Sequence, residues 1–239
     1  MQPATPTPMP ESFAAFPVIG ILRGLDPELS VEVGQVAAAA GLAAIEVTLN
    51  SPGALAQIRA LRQALGAAVA VGAGTVLDAE DAQQALAAGA QFLVSPGLDA
   101  GMMAVGRAAG VPLFPGALTP TEVLAAWRAG ATMVKLFPAG ALGPAYVKAL
   151  TAPLGHIPLL PTGGIGLPNL AAFLEAGAAG AGVGEPLFEK ERLRQRDWAW
   201  LTERIGQFRQ VCAGRRLSHI PVEGEAPAEP HSGGGRSAG

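Results

Sequence analysis

Short apolar and β-branched runs alternate along this chain with longer Ala-rich stretches whose apolar residues recur three and four positions apart. The first pattern suits strands buried on both faces, the second helices packed against them. Strands are predicted over 18–22, 44–49, 68–73, 92–95, 112–115, 133–137, 158–161 and 179–183. Between them, helix starts are marked by Asp26-Pro27, Ser51-Pro52, Asp78, Asp99, Thr119-Pro120 with Glu122, Gly143-Pro144 and Leu167-Pro168. Asp and Thr side chains accept from the unpaired N–H groups of a first turn, and proline fits a position whose N–H would have no partner. Helix ends are marked as well. Ala40-Gly41, Ala88-Gly89, Ala109-Gly110, Ala129-Gly130 and Ala176-Gly177 each stand just before a strand, where a left-handed glycine closes a helix.

Eight strand-helix units in roughly 200 residues, with no break in composition, predict one α/β domain over 13–212, a single (β/α)8 TIM barrel. An open doubly wound sheet is the alternative, but the turn after the first strand, 23–27, has no G-x-G-x-x-G fingerprint. The Pro-rich 1–12 and the Pro-, Gly-, Ser- and Glu-rich 213–239 cannot bury enough apolar surface to offset their ordering entropy and are expected as disordered tails.

Composition narrows the function. Of 239 residues, 50% are apolar and 15% charged, with a net charge of -3. Such a chain carries no electrostatic footprint for nucleic acid or an anionic membrane. Every apolar stretch is interrupted too soon to span a bilayer, and Met1 to Ser12 lacks the basic start and apolar stretch of a signal peptide. With the lone Cys212, these features point to a soluble protein of the cytoplasm. Lysine is scarce: Lys135, Lys148 and Lys190 stand beside 13 arginines.

In a barrel, chemistry belongs at the carboxyl ends of the strands. The second strand holds Glu46 among apolar residues, with Asn50 at its exit. Such a carboxylate either finds a cation or faces outward, or it loses solvation and becomes a base useful near neutrality. The sixth strand holds Lys135 in the same way. Its ammonium either snorkels to solvent or is relieved by deprotonation, leaving an amine able to form an imine with a carbonyl substrate. Lys148 and Lys190 read as solvated helix lysines. Thr75 follows the small residues Gly72-Ala73-Gly74, which is often only a tight turn. Thr162-Gly163-Gly164 and Gly182-Val183-Gly184 end the last two strands, where barrels commonly bind phosphate on backbone N–H groups. Arg23 ends the first strand, as a carboxylate clamp or a rim ion pair.

These segments together resemble the class I aldolases of the 2-keto-3-deoxy-6-phosphogluconate and 4-hydroxy-2-oxoglutarate family. The matching words are Ile21-Leu22-Arg23, Ile45-Glu46-Val47-Thr48-Leu49, Gly72-Ala73-Gly74-Thr75-Val76-Leu77, Ser95-Pro96-Gly97-Leu98, Pro115-Gly116 with Thr119-Pro120-Thr121-Glu122, Lys135-Leu136-Phe137-Pro138 and Pro161-Thr162-Gly163-Gly164. They run in order from about Phe13 to Cys212. The resemblance implies a homotrimeric barrel without metal or cofactor that reversibly cleaves a 2-keto-4-hydroxy acid to pyruvate and an aldehyde. It implies Lys135 as the Schiff-base lysine, Glu46 as general acid and base, Thr75 and Thr162 on the keto acid, and Gly163, Gly164 and Gly182 to Gly184 on phosphate.

Two departures bear on the substrate. Asn50-Ser51-Pro52 replaces an arginine frequent in gluconate-type members and, with Arg23, resembles the 2-keto-3-deoxy-6-phosphogalactonate branch, so Arg23 is expected to take the carboxylate. Pro161-Thr162 instead resembles the gluconate and oxoglutarate members. Glu185 stands where the family commonly offers a serine to phosphate; either it turns away or the substrate has no phosphate. The expected activity is cleavage of a 2-keto-3-deoxy-6-phospho sugar acid to pyruvate and glyceraldehyde 3-phosphate, with 4-hydroxy-2-oxoglutarate as a further substrate. The rivals are a phosphate-binding barrel isomerase or epimerase and a non-catalytic sugar-phosphate binding protein.

Overall fold

The computed structural model describes residues 7–213. Helix α1 (Glu11–Ala15) is followed by β1 (Val18–Leu22), α2 (Pro27–Ala39), β2 (Ala44–Thr48), α3 (Ala54–Leu65), β3 (Ala70–Gly74), α4 (Ala79–Ala87), β4 (Leu93–Val94) and α5 (Ala100–Ala109). Two short strands come next, β5 (Leu113–Phe114) and β6 (Gly116–Ala117), then α6 (Pro120–Arg128), β7 (Val134–Leu136), α7 (Gly143–Leu154), β8 (Leu159–Pro161), α8 (Leu167–Glu175), β9 (Ala181–Val183), α9 (Lys190–Arg194) and α10 (Trp198–Cys212).

Local signals explain the boundaries. Asp26, Asp78 and Asp99 accept from the backbone N–H three residues on, and Thr119 with Glu122 forms a reciprocal capping box. Ser51-Pro52 does not open α3, whose cap is the left-handed Gly53; the Ser51 side chain is engaged elsewhere. Each glycine of the five Ala-Gly pairs is left-handed, with φ from 65 to 102°.

All strand pairs are parallel, in a six-stranded sheet of order β5-β4-β3-β2-β1-β9 and a three-stranded sheet of order β6-β7-β8. The two sheets touch at both edges. Thr132 N–H donates to Leu113 O and Lys135 N–H to Pro115 O, while Ala179 N–H donates to Leu159 O and Thr162 bridges Gly182. The α/β architecture is therefore as expected, but eight uninterrupted strands are not what forms. Pro115 has no N–H to give a ladder, and the expected fifth strand is split around it into β5 and β6.

Outward residues such as Val18, Ile45, Val47, Val71, Val134 and Leu136 join the helices in one core, and an inner cluster gathers Ile19, Ala44, Phe92, Phe114, Met133 and Leu160. Met9 and Phe13, both fully buried, belong to that inner cluster. The expected tail 1–12 is thus corrected from residue 7 onward. Thr7 O accepts from the Thr132 hydroxyl at 2.7 Å, and Met9 and Phe13 supply the apolar surface that a reading of composition overlooked. The expected tail 213–239 lies outside the described residues apart from Ala213. No helix among the described residues is long and apolar enough to cross a membrane.

Candidate active site

Alternate strand residues share a face, and the inward series climb from apolar to polar. Ile19 leads to Ile21 and Arg23, Ala44 to Glu46, Met133 to Lys135 and Phe137, and Leu160 to Thr162. The first residue of each series lies in the inner cluster, while those that follow line a cavity of about 580 Å³ at the carboxyl ends of the strands. That size suits a small metabolite. Arg23, Glu46, Asn50, Thr75, Lys135, Thr162, Gly163, Gly164, Gly182 and Gly184, all singled out in the sequence, line this one cavity, while Val183 between the last two packs in the outer core.

Glu46 is 3% exposed and Lys135 6%. Neither polar end makes a hydrogen bond or an ion pair among the described residues, yet no fully buried side-chain nitrogen or oxygen lacks a partner, so both ends open on the cavity. Burial pushes the Glu46 carboxyl above the usual carboxylate range, opposed by the positive charges of Lys135 and Arg23. Lys135 Nζ lies 5.1 Å from the centroid of the Phe137 ring, within reach of a cation–π attraction.

The glycines before Thr75 provide room for other side chains. A Cβ on Gly74 would overlap the Glu46 carboxylate, and one on Gly72 would overlap the Phe92 ring. Thr75 itself has φ 57°, an unusual value for a β-branched residue. It is held there because Gly74 O accepts from Leu49 N–H at 2.8 Å and Val76 N–H donates to Val94 O at 3.1 Å. Thr162 donates its hydroxyl to Leu160 O at 3.2 Å, which leaves lone pairs for the cavity.

Arg23 sits on a braced loop. Gly24 N–H donates to Ser51 Oγ at 2.9 Å, and Ser51 Oγ is also 2.9 Å from the fully buried Thr48 Oγ1. The buried Gln57 amide donates to Leu25 O at 2.6 Å and Pro52 O at 3.0 Å. The loop carrying Arg23 is thereby tied to the loop carrying Asn50. On the other side of the cavity, Gly163 and Gly164 turn with φ of 84 and 78°. Asn169 secures this turn, donating to Gly164 O and accepting from Gly166 N–H, both at 2.9 Å. Beyond β9, Gly184 O accepts from Leu187 and Phe188 N–H, which turns those side chains into the core and leaves Glu185 exposed at the rim.

Ser51 stood out in the sequence only through Ser51-Pro52, as a helix start and a branch feature, and Gln57 and Asn169 not at all; the bonds of Ser51 to Gly24 and of Gln57 to Leu25 reach a distant loop, which no local pattern reveals, whereas Asn169 is bonded within its own turn. Lys190, read as a solvated helix lysine, is exposed at the start of α9 and also lines the cavity. Lys148 is exposed on α7, away from the cavity lining.

Comparison with known proteins gives the family. Residues 11–204 match the family model described as "Aldolase: KDPG and KHG aldolase". The 2-dehydro-3-deoxy-6-phosphogalactonate aldolase of Escherichia coli (strain K12) is 40% identical over 175 residues, covering 72% of this chain and 85% of that protein. The 2-dehydro-3-deoxy-phosphogluconate aldolase of Treponema pallidum (strain Nichols) is 41% identical over 165 residues, covering 69% of this chain and 77% of that protein. Among solved structures, the KDPG aldolase of Legionella pneumophila, with pyruvate captured at low pH as a covalent carbinolamine intermediate, superposes with a TM-score of 0.76 at 29% identity, covering 84% of this chain and 96% of that one. By its sequence match along most of its length and by its fold, the chain belongs to the KDPG and KHG aldolase family and is an aldolase, a carbon–carbon lyase.

Proposed function

We propose that this aldolase cleaves a 2-keto-3-deoxy-6-phospho sugar acid to pyruvate and glyceraldehyde 3-phosphate, using an imine on Lys135. The observation that carries the reading is a buried amine and a buried carboxyl, neither hydrogen-bonded nor ion-paired among the described residues, opening on one cavity. The Lys135 amine attacks the C2 ketone, and loss of water from the carbinolamine leaves an iminium that draws electrons from the C3–C4 bond. Glu46 as carboxylate takes the proton of the 4-hydroxyl. The C3–C4 bond breaks, its electrons form an enamine, and the aldehyde departs. Protonation at C3 followed by hydrolysis releases pyruvate and restores the amine. Burial raises the Glu46 carboxyl above the usual carboxylate range, so it holds a proton more readily than an exposed glutamate, which suits a group that must take a proton and return it.

In the same reading Arg23 holds the substrate carboxylate, with Asn50 beside it. Thr75 and Thr162 contact the keto acid, and the backbone at Gly163, Gly164 and Gly184 takes the phosphate. The family description also names KHG. Cleavage of 4-hydroxy-2-oxoglutarate to pyruvate and glyoxylate is accordingly a second activity to be assayed.

Two structural expectations accompany this proposal. Read as one kinked strand, β5 and β6 complete an eight-stranded closed barrel, supported by the hydrogen bonds linking the sheets at both edges. The loops after β3, β4 and β7 expose Leu77 (57%), Leu98 (40%), Phe137 (38%) and Leu142 (41%). Apolar exposure on this end supports association between copies of the chain, and the homotrimer implied by the family resemblance is checked by light scattering of the purified chain.

Borohydride reduction in the presence of pyruvate tests the imine. Wild type should retain the pyruvate mass on Lys135, and Lys135→Ala should retain none and release no pyruvate from substrate. Equal labelling of both proteins overturns the mechanism. An isomerase or a binding protein would show no labelling and no pyruvate release.

A further inference from the structure

Five ionisable side chains line the cavity: Arg23, Glu46, Lys135, Glu185 and Lys190. The mechanism uses Glu46 and Lys135, and Arg23 is matched to a carboxylate. Glu185 and Lys190 remain, and they face the same end of the site. Gly184 begins a turn that leaves Glu185 exposed at the rim, and Lys190 opens α9 on the same stretch of chain. The parallel pairing of β1 with β9 lays the loop carrying Arg23 and Gly24 beside that stretch. Lys190 Nζ stands 3.3 Å from the point a Cβ would occupy on Gly24. Among the described residues no ion pair within 4.0 Å engages Lys190, Arg23 or Glu185, so the ammonium is available to a ligand.

We propose that Lys190 is a specificity-determining residue that binds the phosphate monoester of the substrate and offsets the repulsion of Glu185. The proposal rests on the phosphorylated-substrate reading above and adds to it the cation which that reading lacks. Backbone N–H groups at the glycine turns offer partial charges only. A phosphate dianion entering beside the rim carboxylate meets like charge at short range, a repulsion that solvent at the cavity mouth weakens without removing. An ammonium on the same rim reverses that local field and adds a charge-assisted hydrogen bond. Lys190 also sits on a flexible stem at an exposed position, which lets its head follow the phosphate without disturbing the buried pair.

The test is steady-state pyruvate release from the phosphorylated 2-keto-3-deoxy acid and from its unphosphorylated form. The enzymes are wild type, Lys190→Met, Lys190→Arg, Glu185→Ser and the Lys190→Met/Glu185→Ser double variant. Lys190→Met should raise KM for the phosphorylated acid about tenfold, the loss expected of one charge-assisted contact, with a much smaller change in kcat. KM for the unphosphorylated acid should move less than about twofold, as expected of a rim charge that meets no phosphate. Lys190→Arg should recover most of the loss, Glu185→Ser should lower KM for the phosphorylated acid, and the double variant should fall between the two single ones. An unchanged KM for the phosphorylated acid in Lys190→Met, or an equal rise for both acids, overturns the assignment. Absence of pyruvate release from the phosphorylated acid by wild type refutes instead the substrate reading on which it rests.

Discussion

Replacing Gly74 with alanine asks whether the small residues that end β3 exist to house the buried Glu46 carboxyl. Gly74 does not have a left-handed φ, so its backbone accepts alanine without strain. The obstacle is spatial, and all three nearest atoms belong to Glu46, with Cγ only 2.6 Å from the new Cβ. Carbon atoms in ordinary contact stand about 3.5–4.0 Å apart, so Glu46 Cγ must shift by at least about 1 Å and the carboxyl group, which lies closer still, by more. Overpacking of this kind costs about 1–3 kcal/mol, which for a chain of this size lowers Tm by roughly 2–10 °C. A displacement of about 1 Å at a reacting group also costs about a hundredfold in rate. Gly74→Ala should therefore show both losses, read by thermal unfolding and by pyruvate release. Glu46→Ala clears the space, and in that background Gly74→Ala should be neutral or stabilising by up to about 1 kcal/mol, since alanine has less chain entropy to lose. Equal Tm losses in the two backgrounds, or a kcat for Gly74→Ala within about twofold of wild type, would refute the argument that Gly74 and Glu46 share one space.

Two further substitutions probe the machinery around this pair. Glu46→Gln should lower kcat by about 10²–10⁴-fold through loss of proton transfer, and it should change the pH dependence of stability. With the folded carboxyl raised by burial, the protonated form is favoured in the folded state; this contribution is full below the ordinary glutamate range and is lost as pH rises through the folded value. Thermal unfolding from acid to neutral pH should then show Glu46→Gln gaining stability relative to wild type as pH rises, and parallel curves would contradict the assigned cause. Ser51→Ala removes the acceptor for Gly24 N–H and the partner of Thr48, costing about 1–3 kcal/mol in stability. If that bond places Arg23, KM for substrate rises several-fold in wild type but not in an Arg23→Ala background; additive effects would mark a purely structural hydroxyl.

Much of the architecture was legible because its signals are local. The capping box of Thr119 and Glu122, the Asp caps and the left-handed glycines of the Ala-Gly pairs satisfy hydrogen bonds within a few residues of themselves. They show in the sequence as they do in space. Alternation along the strands likewise placed Glu46 and Lys135 among buried apolar residues, and the order of the words around them carried the family. What alternation left open was the direction of each side chain: Glu46 had an outward reading, Lys135 a snorkelling one, and Arg23 a rim ion pair.

Packing settled these directions, since strand twist and the helices outside decide which face of a pleat is enclosed. It also put Met9 and Phe13 beneath the inner cluster, joined Gly24 to Ser51 across 27 positions and Thr132 to Thr7 across 125, fitted the Glu46 carboxylate into the space at Gly74, and brought Lys190 to the rim. Each of these contacts joins segments distant along the chain, and their energy arises only when the sheets and helices have assembled. Residue type and spacing were therefore enough to bring Lys135 and Glu46 forward as candidates, while the room they occupy, the contacts between distant loops and the charge at the cavity mouth belong to the folded molecule.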